Sequence, residues 1–141
     1  MSGPAEPSDL LVRRVLEDCE VWAIVGLSRN EARAAFRVSR FLQAHGKQIV
    51  PVHPKAETVH GEPGYERLAD IPFDVDCVDV FVRSELAGGI ADEAVEIGAS
   101  AVWFQLDVID PAAAGRVRQA GTDMVMDRCP AIEWPRLGPA A

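Results

Sequence analysis

One stretch, Val21 to Pro54, constrains the fold more than any other. An apolar run, Val21-Trp22-Ala23-Ile24-Val25, stops at Gly26 and passes through Leu27-Ser28-Arg29-Asn30. An amphipathic run from Glu31 to His45 follows, then Gly46, then a second apolar run, Gln48-Ile49-Val50-Pro51-Val52, ending at His53-Pro54. A continuous apolar run without alternation suits a parallel strand covered on both faces. The middle run places Ala35, Val38, Phe41 and Leu42 on one helical stripe, with Arg33, Arg37, Arg40 and Gln43 turned outward or toward the loop. Gly46 is a helix stop. Strand, turn, helix and returning strand make a βαβ unit, whose first turn is where open α/β sheets bind phosphates.

The same alternation continues along the chain. Ahead of the unit, Ser8 or Asp9 caps a helix carrying Leu11, Val12, Val15 and Leu16. After it comes a Pro- and Gly-rich loop, His53 to Tyr65, in which Thr58-Val59-His60 suits a short edge strand. A short turn or helix over Arg67 to Ile71 is closed by Pro72. Asp76 to Val82 reads as the third main strand, with Val78, Val80 and Val82 on one face and Cys77, Asp79 and Phe81 on the other. Ser84 caps the next helix, whose stripe is Ala87, Ile90, Ala94 and Ile97 and whose stop is Gly98. Ala101 to Phe104 is a fourth strand, Pro111 to Ala120 a helix, and Met124 to Met126 a fifth strand. The tails, up to Pro7 and from Pro135, read as loose and extended. The expected fold is therefore α/β: a three-layer sandwich around a mostly parallel five-stranded sheet, built as one domain over 1–141 with a core of about 15–134. The first strand should sit centrally, the second to one side and the third, fourth and fifth to the other. The switch point then lies between the first and third strands, over Gly26 to Arg29, Val52 to Lys55 and Val82 to Ser84.

Charge narrows the partners. With 22 acidic and 14 basic side chains, the net charge of -8 disfavours nucleic acid and anionic membrane as main partners. One local cluster runs the other way: Arg29, Arg33, Arg37, Arg40 and Lys47 stand against Glu31 alone. Three widely spaced cysteines suggest neither a disulfide framework nor a zinc site and fit a reducing, cytoplasmic setting. The first residues lack the apolar core of a signal peptide, and no apolar run approaches the ~20 residues of a membrane span.

The first loop departs from the usual dinucleotide fingerprint. Only Gly26 of G-x-G-x-x-G is present, and the second strand ends in Val52-His53 with no acid for a ribose diol. NAD is disfavoured, and with it a nucleotide-dependent oxidoreductase with a degenerate loop, which stands as the alternative reading. Two readings of the loop remain. Gly26 merely turns the chain while Ser28 caps the helix; or the backbone N–H groups, the Ser28 hydroxyl and the Arg29 and Arg33 guanidinium groups hold a phosphate.

Taken together, several segments resemble the small stand-alone CoA-binding proteins, whose fold is similar to the CoA-binding domain of the succinyl-CoA synthetase alpha subunit. They are Val25-Gly26-Leu27-Ser28 with Asn30 and Arg33, Ile49 to Pro54, Gly61, Tyr65, Leu68 to Pro72, Val75 to Val82, Val102-Trp103-Phe104-Gln105 and Met126-Asp127-Arg128-Cys129. The resemblance implies a Rossmann-like domain with CoA or acyl-CoA in the switch-point cleft. Carried over by position, it points to Gly26, Ser28, Arg29, Arg33, His53, Pro54, Lys55, Val82 and Arg83 as the binding residues. It also implies a non-catalytic carrier, sensor or regulator, because the synthetase's phosphohistidine belongs to another domain; an acyl-CoA-handling enzyme with a degenerate phosphate loop is the alternative beside the oxidoreductase. The chain differs from the family pattern in carrying His53 for an asparagine, Ala34-Ala35-Phe36 for a more polar segment, and Leu106-Asp107 where a glycine is common.

The remaining reactive residues read as structural. Cys129 follows Arg128, which would favour a thiolate, but no Cys-x-x-Cys or neighbouring His supports a nucleophile; a mixed disulfide with the CoA thiol stays open. Cys19 and Cys77 read as buried and inert. His45, His53 and His60 form no metal pattern. Asp74, Asp76 and Asp79 read as solvated loop or strand-end carboxylates. Trp22, Trp103 and Trp134 read as packing residues, with Trp134 placed in the tail to cover a cleft or a homodimer contact.

Overall fold

A computed structural model describes residues 7–139. The elements in order are α1 (Pro7–Asp18), β1 (Val21–Val25), α2 (Ala34–Ala44), β2 (Gln48–Val52), a 3-10 turn (Leu68–Asp70), β3 (Cys77–Val80), α3 (Ser84–Glu96), β4 (Ala101–Phe104), α4 (Pro111–Gln119), β5 (Asp123–Val125) and α5 (Pro130–Leu137). All strand pairs are parallel, in the order β2-β1-β3-β4-β5. The expected neighbours are therefore found, with β3 as the middle strand and the reversal of strand order between β1 and β3.

Each strand buries both faces because two apolar layers cover the sheet. One layer gathers Leu16, Trp22, Ile24, Leu42, Cys77, Trp103 and Leu137, joining β-strand side chains to α1, α2 and α5. The other gathers Ala23, Val78, Val80, Ala91, Val102, Phe104, Ala114 and Val117, joining the opposite face to α3 and α4. On β3 the alternation runs as expected, Val78 and Val80 to one layer and Cys77 to the other. Small residues line the helices of the second layer: Ala87, Gly88, Ala91 and Ala94 of α3 and Ala113 and Ala114 of α4 are buried. That lets both helices lie close to the strands.

Five local expectations are corrected. Chain from Pro135 does not run extended: α5 continues to Leu137. Trp134 sits within it, 5.8 Å from the Phe41 ring and 5.0 Å from the His45 ring, so it closes the α2–α5 seam and covers no cleft. The early tail up to Glu6 lies outside the described residues. Helix α2 starts at Ala34, three residues later than periodicity suggests, because Asn30 Oδ1 accepts the Ala32 N–H (3.0 Å) and holds that segment as a turn. Thr58-Val59-His60 forms no strand; a lone bridge pairs Val59 with Glu62, while Tyr65 bridges to Val52 and extends the β2 edge. The α3 N-terminus is not capped by Ser84, whose hydroxyl instead donates to Asp107 O (3.2 Å) and accepts the Ile109 N–H (2.9 Å).

Asp79 overturns the reading of solvated carboxylates. It lies mid-strand on β3, opposite Ile24 of β1 and Trp103 of β4, and is fully buried. Neither carboxyl oxygen has a hydrogen-bond partner among the described residues. Burial without a partner pushes its pKa well above the usual carboxylate value. Asp76, by contrast, is spent on structure, its Oδ2 accepting the Glu20 and Val21 N–H groups (3.0 and 2.9 Å).

Candidate functional site

The loops after β1, β2, β3 and β4 meet above the β1–β3 switch point and enclose a cleft of about 760 Å³. That size is within the range of small-molecule sites. The floor is made by the strand ends, Val25, Val52 and Phe81, and by Gln105 just beyond β4. Gly26 must be glycine for two reasons. Its φ is +103°, and a Cβ there would lie 3.3 Å from Phe81 Cβ and 3.5 Å from the Phe81 carbonyl carbon. The chain can therefore leave β1 flush against β3, with the Gly26 N–H donating to Val52 O (2.8 Å).

The turn after Gly26 carries Arg33 to the N-cap of α2, where sequence periodicity had placed it one turn inside. Its backbone is extended (φ -84°, ψ 145°), its side chain makes no capping bond, and the first turn of α2 holds no acidic residue. The orphan N–H groups of this helix end are thus left to a ligand or water, beside the Arg33 cation. Arg33, Ala34 and Ala35 all line the cleft. On the facing side, Arg83 occupies the N-cap of α3, also without a side-chain capping bond. Its guanidinium is 3.8 Å from Glu85, an exposed pair that restrains it little.

His53 closes the β2 side. Its Nδ1 accepts the Lys55 N–H (3.1 Å), so the neutral ring carries its proton on Nε2 and offers a donor. The backbone bond from His53 N to Tyr65 O (3.0 Å), together with Tyr65 N to Pro51 O (3.0 Å), draws the next segment over the cleft. That brings in Glu66 and Arg67, which sequence reading did not select. The charged residues at the rim are then Arg33, Arg67 and Arg83 against Glu66 and Glu93, with His53 among them.

Of the nine residues expected at the site, Gly26, Arg33, His53, Pro54, Val82 and Arg83 line this cleft. Ser28, Arg29 and Lys55 do not. Ser28 Oγ accepts the Asn30 N–H (3.2 Å), stiffening the turn and not capping the helix. Arg29 is turned away toward the following loop, its Nε donating to Thr58 O (3.1 Å) and its N–H to Glu57 Oε1 (3.1 Å). The basic cluster also divides. Lys47 is buried at the other end of the sheet, 3.3 Å from Glu20, and Arg40 lies 4.8 Å over the Phe36 ring. Arg37 donates to Ala32 O (3.2 Å).

The α3 side of the cleft was missed as well. Leu86, Gly89, Ile90, Leu106 and Val108 line it, although Ile90 reads in sequence as an ordinary core position. Gly89 leaves open space, since a Cβ there would meet nothing within 4 Å. Asp107 holds a φ of +68°. Its N–H donates to Asp127 Oδ1 (2.8 Å), which anchors this strained loop. The three cysteines are buried free thiols, and none lines the cleft. Burial, followed by the Cys19 thiol beside it, pushes the Cys77 thiol well above its ordinary pKa. No group of metal-ligating side chains occurs among the described residues.

Comparison with known proteins agrees with this architecture. Uncharacterized protein YneT of Bacillus subtilis is 32% identical over 123 residues, 87% of this chain and 91% of its own. A hypothetical protein from Pyrococcus horikoshii superposes with a TM-score of 0.88 at 33% identity, over 97% of this chain and 99% of its own. The dinucleotide-forming acetyl-coenzyme A synthetase 1 of Ca. Korarchaeum cryptofilum shares the fold over 80% of this chain and 27% of its own (TM-score 0.69, 19% identity). A CoA binding domain model matches residues 20–135, the full span from β1 to α5. With its parallel sheet, its switch-point cleft and a family match over residues 20–135, this chain belongs to the CoA binding domain family.

Proposed function

We propose that the switch-point cleft binds CoA or an acyl-CoA and that the protein acts as a carrier, sensor or regulator of that ligand. The observation that carries this reading is the uncapped N-terminus of α2, with Arg33 at its N-cap, opening into a cleft whose opposite wall ends in Arg83. Oriented N–H groups beside guanidinium groups are the chemistry that a pyrophosphate or ribose phosphate needs. The donor on His53 Nε2 and the cation of Arg67 extend that chemistry across the cleft. Family membership makes CoA the phosphate-bearing ligand to test first. The absence of an acid after β2 argues against a ribose diol held as in NAD enzymes. Among the described residues no helix is long and apolar enough to cross a membrane, and the three free thiols suit a reducing compartment such as the cytoplasm.

Calorimetric titration with CoA, 3′-dephospho-CoA and NAD tests the proposal. CoA is expected to bind and NAD not to. Arg33→Ala should weaken CoA by about 10- to 100-fold, the loss of one charge-assisted hydrogen bond. NAD binding without CoA binding would refute the reading.

A further inference from the structure

The exposed positions of α2 are cations and alanines alone. Ala34, Arg37, Arg40 and Ala44 are spaced three, three and four apart, so they share one side of the helix. Arg33, exposed at the N-cap, stands one turn ahead of Arg37 and opens that face at the rim of the cleft. No residue of α2 is acidic, and among the described residues Arg33, Arg37 and Arg40 form no ion pair with a carboxylate. Local physics disfavours this placement. Like charges three and four residues apart repel one another. Cations near a helix N-terminus also oppose the positive end of its dipole. The side chains return little to the fold: Arg37 Nη1 donates to Ala32 O (3.2 Å), and Arg40 lies 4.8 Å over the half-buried Phe36 ring. Arginines kept against the preference of the helix, on a chain whose net charge is -8, mark a surface that serves something outside the chain.

We infer that this face of α2 docks an acidic segment of another protein, whose carboxylates pair with Arg37 and Arg40. The inference holds whatever the cleft binds. Guanidinium groups take carboxylates through paired hydrogen bonds, and Ala34 and Ala44 leave room for a second backbone to approach. Arg33 to Arg40 spans about 10 Å along the helix, the reach of three carboxylates repeating at the same spacing on an acidic helix. A nucleic acid fits less well. Its dense phosphates would meet the negative charge of the rest of the chain. The Phe36 ring on this side is taken up by Arg40 and by His60, 4.5 Å away, and offers no platform for a base. Since Arg33 also lines the cleft, the docked segment lies beside the cleft mouth.

The probe is a fluorescein-labelled, alanine-rich helical peptide with glutamates at i, i+4 and i+7. Its control has the same composition with the glutamates spread around the helix, and a labelled single-stranded oligonucleotide is the third ligand. Each is titrated by fluorescence anisotropy, at low and at high salt, into wild type and into the double variant Arg37→Glu/Arg40→Glu. Wild type is expected to prefer the striped peptide by about fivefold at low salt. The double variant should bind that peptide about tenfold more weakly, since one exposed charge pair is worth up to about fivefold and reversal adds repulsion. Thermal melting checks that the variant folds. Should it fail to fold, Arg40→Gln, which keeps the Arg37 bond to Ala32, takes its place, with a loss of about two- to fivefold expected. Equal binding of both peptides by wild type, no binding of either, or unchanged binding by the folded variant overturns the inference. Tighter binding of the oligonucleotide gives the face to nucleic acid and overturns it too. So does sedimentation that shows salt-sensitive self-association of wild type and none of the variant, because the partner is then a second copy of this chain.

Discussion

Asp79 offers the sharpest test of the physical account. Its carboxyl is enclosed between Ile24 and Trp103 with both oxygens unpartnered. Burial raises its folded-state pKa, so the native protein holds this proton more tightly than the unfolded chain, where the value is 3.8. Between the two values the native state binds more protons, and stability falls as pH rises. Above the folded-state pKa the whole penalty is present; below 3.8 it is absent. Asp79→Asn keeps the shape and removes the ionisation. The amide is as unpartnered as the protonated acid, so that cost cancels between the two proteins and only the cost of ionisation separates them, about 1.4 kcal/mol for each unit by which the pKa is raised. The variant is therefore expected to exceed wild type by about 1–3 kcal/mol or more at pH 8. On the usual scaling for a chain of this size, a gain of that order raises Tm by roughly 3–10 °C. The two proteins should converge near pH 3.5. Urea unfolding of both from pH 3.5 to 8 measures the difference directly and cancels every other titrating group. A difference independent of pH, or a variant less stable than wild type at pH 8, would show that Asp79 is ionised and paired, and would refute the reasoning.

Three further outcomes are expected. Gly26→Ala combines a positive φ with a 3.3 Å approach to Phe81 and should cost about 1–3 kcal/mol in chemical denaturation; ligand affinity should fall with it, since the same turn shapes the cleft. Trp134→Ala empties the seam beside Phe41 and His45 and should lower stability by about 2 kcal/mol, with the cleft's affinity unchanged. Asp9, hydrogen-bonded to Arg136 and Arg128, is held below 3.8, so its contribution is present above that value and lost as pH falls through the lowered one. Asp9→Asn should therefore destabilise at pH 7 and leave stability at pH 2 unchanged, as read by thermal melting.

Much of the fold was legible because it rests on local patterns. Unbroken apolar runs at Val21–Val25 and Ala101–Phe104 mark strands buried on both faces, and the helices between them impose parallel pairing and the switch point. Gly26 was legible too, since an apolar strand ending at a glycine before a helix is a backbone requirement written in one residue. Six of the nine expected site residues meet at one cleft: five lie just beyond strand ends, and Arg33 is carried there by the turn into the α2 N-cap. What stayed hidden depends on contacts between distant segments. Arg29 is drawn aside by Glu57 and Thr58, across nearly thirty residues of chain, and Lys47 is claimed by Glu20. Arg67 reaches the cleft only because Tyr65 pairs with the edge of β2. Asp79 and Gln105 look in sequence like ordinary polar residues near strand ends. Only the layers packed on both sides of the sheet take away their water and leave them unpaired. Periodicity along the chain thus determined where strands and helices lie, while the tertiary structure alone decided which polar groups lose solvent, because desolvation depends on neighbours the sequence does not place side by side.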